Sequence, residues 1–230
     1  MIMGIWRGNP VYLKETGWVE LQCTEGAEQE FIMYQIILAS GSPRRKEILE
    51  QVGAVFAVIV SEKEENPVNT LPEEAVKELS LMKAVDVAGT VSENTVVIGA
   101  DTVVAYQGQI LGKPRDREDA FRMLSLLQGR EHQVYTGVAI LIKRSGREEE
   151  RIQFYEKTDV SVASMDQEQI DSYIATGEPM DKAGAYGIQG RFAVHVREIK
   201  GDYYNVVGLP VHAVYGALKE AGINLAGQEV

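Results

Sequence analysis

The segment YQIILASGSPRR, residues 34–45, constrains the fold more than any other part of the chain. Ile36, Ile37 and Leu38 form a short unbroken apolar run, the pattern of a strand buried on both faces. Ser40, Gly41 and Ser42 are small enough to bring backbone close to a ligand, and Pro43 suits the first position of a helix. A buried strand, a tight loop and a helix start in immediate succession are the opening unit of an α/β sheet. Arg44 and Arg45 then fall where unpaired N–H groups and the helix dipole favour an anion. An arginine fork binds phosphate oxygens in pairs. Two readings stand at this point: a polyphosphate grip, or a loop with two solvated arginines.

The alternation continues along the chain. Lys46 to Val52 extends the first helix toward Gly53, and Val55 to Val60 reads as a second strand leading into the acidic Glu62, Glu64 and Glu65. Pro72 to Ala88 is a long helix with Glu73 and Glu74 in its first turn, as the dipole prefers, and it carries Lys83. Thr95 to Ala100 is a third apolar strand, with Asp101 and Thr102 expected at its end. Gln107-Gly108 has the composition of a hairpin turn returning to Gly112-Lys113-Pro114. Asp116 is the expected N-cap of a helix to Leu127, closed by Gly129. Val134 to Lys143 and Arg151 to Ala163 read as paired strands, and Asp166 to Ala175 as a helix. A strand through Val194 and Val196, a Gly201-Asp202 turn and a last helix, Pro210 to Ala221, complete the chain. Strands interleaved with helices, and hairpins among them, predict a mixed α/β sheet with flanking helices rather than a purely parallel one.

At 230 residues the chain suits one medium domain, or one domain with two lobes around a cleft. Residues 1–32 stand apart: they hold both tryptophans and the only cysteine, Cys23, and lack a clear period. They are either an N-terminal extension or the product of a misplaced start upstream of Met33, and the second is favoured; residues 33–230 form the domain. The net charge of −11 argues against general nucleic-acid binding. No apolar run approaches the roughly 20 residues of a membrane span, and the N-terminus lacks a basic segment followed by an apolar core, so a secretory signal is not expected. A single cysteine excludes an internal disulfide and fits a cytoplasmic protein.

Asp101, following an apolar strand, sits where ligands of open α/β sheets bind. A carboxylate there holds a divalent ion, accepts a proton from water, or caps a turn. Glu64 and Glu65 offer a second carboxylate or a solvated acidic patch. Lys83 and Lys113 read as surface lysines, though Gly112 and Pro114 fix the backbone around Lys113. The run AGAYGIQG, Ala183 to Gly190, combines three glycines with Gln189, whose amide reads a donor and an acceptor together. His132, His195 and His212 lack metal-ligand spacing and read as structural, and a GxxxxGK[ST] loop is absent.

Seven segments resemble the Maf family of nucleoside triphosphate pyrophosphatases, in family order. They are LASGSPRRKEIL (38–49), VSEKEE (60–65), IGADTVV (98–104), LGKP (111–114), HQVYTGVAI (132–140), DKAGAYGIQG (181–190) and GDYYNVVGLP (201–210). The resemblance implies a two-lobed mixed α/β fold related to inosine triphosphate pyrophosphatases, often a homodimer. It implies hydrolysis between the α- and β-phosphates, with a divalent cation as cofactor and Mg²⁺ as the expected ion. By position Asp101 matches the proposed general base, and Arg44, Thr102 and Gln189 match positions associated with base selection. Ser40, Arg45, Glu64, Lys83 and Lys113 match other pocket residues. The expected catalytic set is therefore Asp101, Lys83, Lys113 and Glu64, with Asp101 and Glu64 as metal ligands. The expected substrate-binding set is Ser40, Arg44, Arg45, Thr102 and Gln189. AGAYGIQG is similar to the branch acting on dTTP and UTP, whose imide edge a Gln amide can read. The same resemblance leaves open house-cleaning of modified nucleotides, or a nucleotide-binding regulator of septum formation with little turnover.

Overall fold

The computed structural model describes Trp18, Val19 and residues 34–63 and 68–226. Strand β1 (Trp18–Val19) pairs antiparallel with β2 (Tyr34–Leu38), and β2 leads through the small-residue loop into α1 (Pro43–Gln51), with proline in its first turn as expected. Strand β3 (Ala57–Val58) and helix α2 (Pro72–Ala88) follow, then the long strand β4 (Thr95–Tyr106) and its hairpin partner β5 (Gln109–Leu111). Helix α3 (Arg117–Leu127) precedes the β6 (Glu131–Lys143) and β7 (Glu150–Val162) hairpin. Helix α4 (Gln167–Ala175), three short 3₁₀ turns, β8 (Val196–Lys200), α5 (Tyr203–Val207) and α6 (Val211–Glu220) close the chain. The strand order is β1-β2-β4-β6-β7-β8, with β3 on β2 and β5 on β4. β2 runs parallel to β3 and β4, and the other pairs are antiparallel. The sheet is mixed, as the interleaved pattern predicts.

Period-two alternation sends the strands' side chains to two faces. On one face Ile37, Ala39, Val97, Ala139 and Leu141 pack against Ala84, Val87 and Ala88 of α2. On the other face two cores sit at opposite ends of the long strands. The first joins Leu38, Ile98, Ala100, Val138 and Ile140 to α1 and α6. The second joins Val104, Val134, Val160 and Val162 to α3, α4 and the glycine-rich segment. Between them the strands carry hydroxyls: Thr102 on β4, Thr136 on β6 and Thr158 on β7. This polar seam separates the two apolar cores on that face of the sheet.

Four local expectations are corrected. The second strand shrinks from Val55–Val60 to Ala57–Val58, because it pairs with β2 only at Ile37 and Leu38 and leaves Val60 exposed. The third strand does not end at Ala100: its ladder with β6 continues to Ala105, so Asp101 and Thr102 lie within β4. Val194 belongs to a 3₁₀ turn (Arg191–His195) and is exposed, with β8 starting at Val196. Helix α5, capped by the Asp202 carboxylate accepting from Tyr204 N at 2.7 Å, forms where only a turn was expected.

Candidate active site

Two glycines decide how closely α2 approaches the sheet. A Cβ on Gly99 would lie within 3.0 Å of the Ser80 carbonyl oxygen, and one on Gly137 within 3.0 Å of the Val76 carbonyl oxygen. The bare backbone at both positions lets the helix rest directly on β4 and β6. Gly137 is also the cross-strand partner of Asp101. The helix therefore carries Lys83 onto Asp101, and Lys83 Nζ meets Asp101 Oδ1 at 2.6 Å. Asp101 is 7% exposed and Lys83 8%. Burying one of these charges alone would be costly, and pairing offsets much of that cost. The lysine holds one carboxylate oxygen, which leaves Oδ2 as the oxygen able to take a proton or meet a cation.

Across the sheet, Arg45 is the hub of a second cluster. Its Nε donates to the Gly208 carbonyl at 2.8 Å, Nη1 to Ser40 Oγ at 2.8 Å and Nη2 to Thr102 Oγ1 at 3.0 Å. One buried guanidinium thus ties the loop after β2, the middle of β4 and the α5–α6 connection together. The network runs on along the seam. Thr102 Oγ1 lies 2.9 Å from Thr136 Oγ1, and Thr136 donates to the Asn205 carbonyl at 3.0 Å. The Asn205 amide donates to Val134 O at 3.1 Å and Thr158 Oγ1 at 2.9 Å. Asp101 and Thr102, adjacent in sequence, thus project to opposite faces and join different clusters.

The glycine-rich segment is held by packing that excludes larger side chains. Gly184 has a φ of +68°, and a Cβ there would meet Val104 at 2.8 Å. Its N–H donates to Gly112 O at 3.0 Å, which sets the segment beside Lys113. Tyr186 is buried, and its hydroxyl meets His132 Nε2 at 2.8 Å. Burial pushes the His132 pKa down to about 4, so this histidine is neutral at pH 7. Glu178 shapes the other side, accepting from Tyr173 Oη at 2.9 Å and from Arg191 N at 2.9 Å.

The structure thus joins Ser40, Arg45 and Thr102 in one cluster and Lys83 and Asp101 in another. Arg44 is half-buried; Lys113 and Gln189 are exposed. A hydrogen bond from Lys182, with the Arg44 charge as a smaller contribution, holds the Asp181 carboxyl below its usual range. Glu64 and Glu65 lie outside the described residues. Gly208, Thr136 and Asn205 carry no charge and have no catalytic spacing, so sequence reasoning gave them no role. The signal that would have found them is their place within HQVYTGVAI and GDYYNVVGLP. Two surface cavities, of about 550 Å³ by Lys63, Glu78 and Asp86 and about 390 Å³ by Asp166, Tyr173 and Arg191, are lined by none of the expected site residues. Among the described residues, no helix is long and apolar enough to cross a membrane.

Comparison with known proteins follows the same segments. The family model described as Maf-like protein matches residues 35–221. A dTTP/UTP pyrophosphatase of Lachnoclostridium phytofermentans is 55% identical over 196 residues, covering 85% of this chain and 100% of its own. One from Agathobacter rectalis is 54% identical over 206 residues, covering 84% and 100%. One from Bacillus anthracis is 48% identical over 194 residues, covering 84% and 98%. Among solved structures, a dITP/XTP pyrophosphatase from Mycobacterium abscessus has a TM-score of 0.41 at 15% identity, covering 82% of this chain and 94% of that one.

Proposed function

The chain belongs to the Maf family, and from that premise we propose that it hydrolyses dTTP and UTP to the nucleoside monophosphate and pyrophosphate. The observation that carries this reading is the buried Lys83–Asp101 pair at 2.6 Å. A buried carboxylate with one oxygen held and the other available suits proton abstraction from an attacking water. That water's oxygen becomes bonded to phosphorus, the P–O bond of the α–β bridge breaks, and pyrophosphate leaves. Lys83 fixes the carboxylate's orientation. Arg44, Lys113 and the charge of the buried Arg45 guanidinium act on the polyphosphate, where negative charge builds in the transition state. Ser40, Thr102 and Gln189 are the groups proposed to meet the base and sugar.

No group of three His, Cys, Asp or Glu among the described residues is arranged to hold a metal ion. That donor set fits an ion that arrives with the nucleotide, since Mg²⁺ is commonly bound by phosphates plus one or two carboxylates. Asp101, with Glu64, would hold it, and it would neutralise phosphate charge. The same reading takes residues 33–230 as the catalytic unit. No feature of the structure or of the relatives favours the regulatory alternative. Product analysis tests the proposal: UTP should give UMP and pyrophosphate in equal amounts. UDP and orthophosphate, or no turnover by folded protein, would refute it.

A further inference from the structure

Hydrogen-bond direction along the polar seam has a fixed sense. The Asn205 carbonyl can only accept, and the amides of Gly208 and Leu209 both donate to Tyr204 O instead. Thr136 Oγ1 fills that place at 3.0 Å. With its single proton committed there, Thr136 must accept in its 2.9 Å contact with Thr102 Oγ1. Thr102 is therefore the donor in that contact. Arg45 Nη2, which can only donate, takes one lone pair of the same Thr102 oxygen at 3.0 Å. The other oxygen within reach of the Thr102 hydroxyl, Gly208 O at 3.5 Å, also lies on the protein side. Thr136 is fully buried, whereas Thr102 is half-buried. The half-buried Thr102 oxygen thus has one lone pair left to offer a ligand and no proton to give. Ser40 is the opposite case: its Oγ accepts from Arg45 Nη1 at 2.8 Å and from Ser42 N at 3.3 Å, which leaves its proton for a ligand.

We propose that Thr136 is a specificity-determining positioning residue. By locking Thr102 as an acceptor, it makes the cleft select bases that carry a ring N–H, as uracil and thymine do at N3. Cytosine presents a lone pair at N3; two acceptors facing each other leave both unpaired in a site removed from water. The inference rests on the proposed pyrimidine triphosphate activity and adds the rule by which uracil and thymine are told from cytosine. Thr136 never touches the base; it acts through Thr102.

The test compares UTP with CTP in wild-type protein, Thr136→Val and Thr136→Ser. Valine keeps the shape but releases the Thr102 proton, which becomes free to donate to cytosine N3. The UTP/CTP ratio of kcat/KM should fall about tenfold in Thr136→Val, the effect of one hydrogen bond lost or gained, and return in Thr136→Ser. A merely structural role would depress both substrates equally, and an unchanged ratio overturns the proposal. If Thr136→Val does not fold, wild-type protein decides with methylated substrates. 3-Methyl-UTP, which lacks the N3–H, should be at least about tenfold poorer than 5-methyl-UTP, which keeps it; equal rates overturn the proposal. The same ratios are measured as dissociation constants. Absent turnover then refutes the proposed activity, while the UTP/CTP binding ratio still decides the role of Thr136.

Discussion

Replacing Gly99 by alanine should separate Lys83 from Asp101 without touching either. The new Cβ would meet the Ala84 Cβ at 2.9 Å and press on the Ser80 backbone oxygen. Carbon atoms pack at about 3.5–4.0 Å, so α2 must retreat by roughly 1 Å. Neither obstacle is the end of a flexible side chain, so the helix cannot yield locally. Overpacking of this kind costs about 1–3 kcal/mol, which for a chain of this size lowers Tm by roughly 2–12 °C. The functional cost is larger. Lys83 Nζ sits 2.6 Å from Asp101 Oδ1, and a displacement near 1 Å at a catalytic group costs on the order of 100-fold in rate. The assay is pyrophosphate release from UTP alongside thermal unfolding. Gly216→Ala is the control: its Cβ would meet nothing within 4 Å, so activity should hold and Tm should rise slightly, as glycine weakens a helix interior. A Gly99→Ala protein that works within twofold of wild type would refute the idea that the bare backbone under α2 sets the Lys83–Asp101 geometry.

Three further outcomes are expected. His132 has a pKa of about 4 in the fold against 6.5 for the free side chain. Between those values the unfolded chain binds a proton that the folded chain refuses. Stability is thus intact above pH 6.5 and falls by up to roughly 3 kcal/mol as pH drops toward 4. Urea midpoints from pH 7 to pH 4.5 should show this slope in wild type but not in His132→Gln, and parallel slopes would contradict it. Gln189→Glu should lower the UTP/CTP rate ratio; an unchanged ratio would mean that Gln189 does not read the base. A chain beginning at Met33, which lacks the short β1 pairing with β2, should retain UTP turnover and unfold cooperatively; an inactive or unfolded product would place necessary structure before Met33.

The sequence made visible whatever rests on local pattern. The run Ile36 to Leu38, Pro43 in the first turn of α1, the Asp116 cap and the Gln107-Gly108 hairpin all act within a few residues, and all appear as expected. Where pairing partners decide the outcome, local reading failed. β4 runs on through Asp101 because β6 pairs with it as far as Ala105, and the buried charge is balanced by Lys83 from a distant helix. The site divides in the same way. Arginines and carboxylates advertise their chemistry, so Arg45 and Asp101 stood out from residue type and motif, whereas Lys83 read as a surface lysine and was singled out only by the family resemblance. Thr136, Asn205 and the Gly208 carbonyl act through hydrogen-bond geometry that only the folded seam creates. That neighbouring Asp101 and Thr102 serve opposite faces follows from the strand period, once β4 is known to continue.

Asp101 is proposed as the general base for pyrophosphate release from uracil and thymine nucleotides, and the decisive measurement is pyrophosphate released from a panel of ribo- and deoxynucleoside triphosphates with Mg²⁺, for wild type and Asp101→Asn. The expected result is turnover of UTP and dTTP well above ATP, GTP and CTP, reduced at least about 100-fold in Asp101→Asn, the lower end of what a general base contributes. Equal turnover of purine triphosphates, or an Asp101→Asn protein as active as wild type, would contradict it.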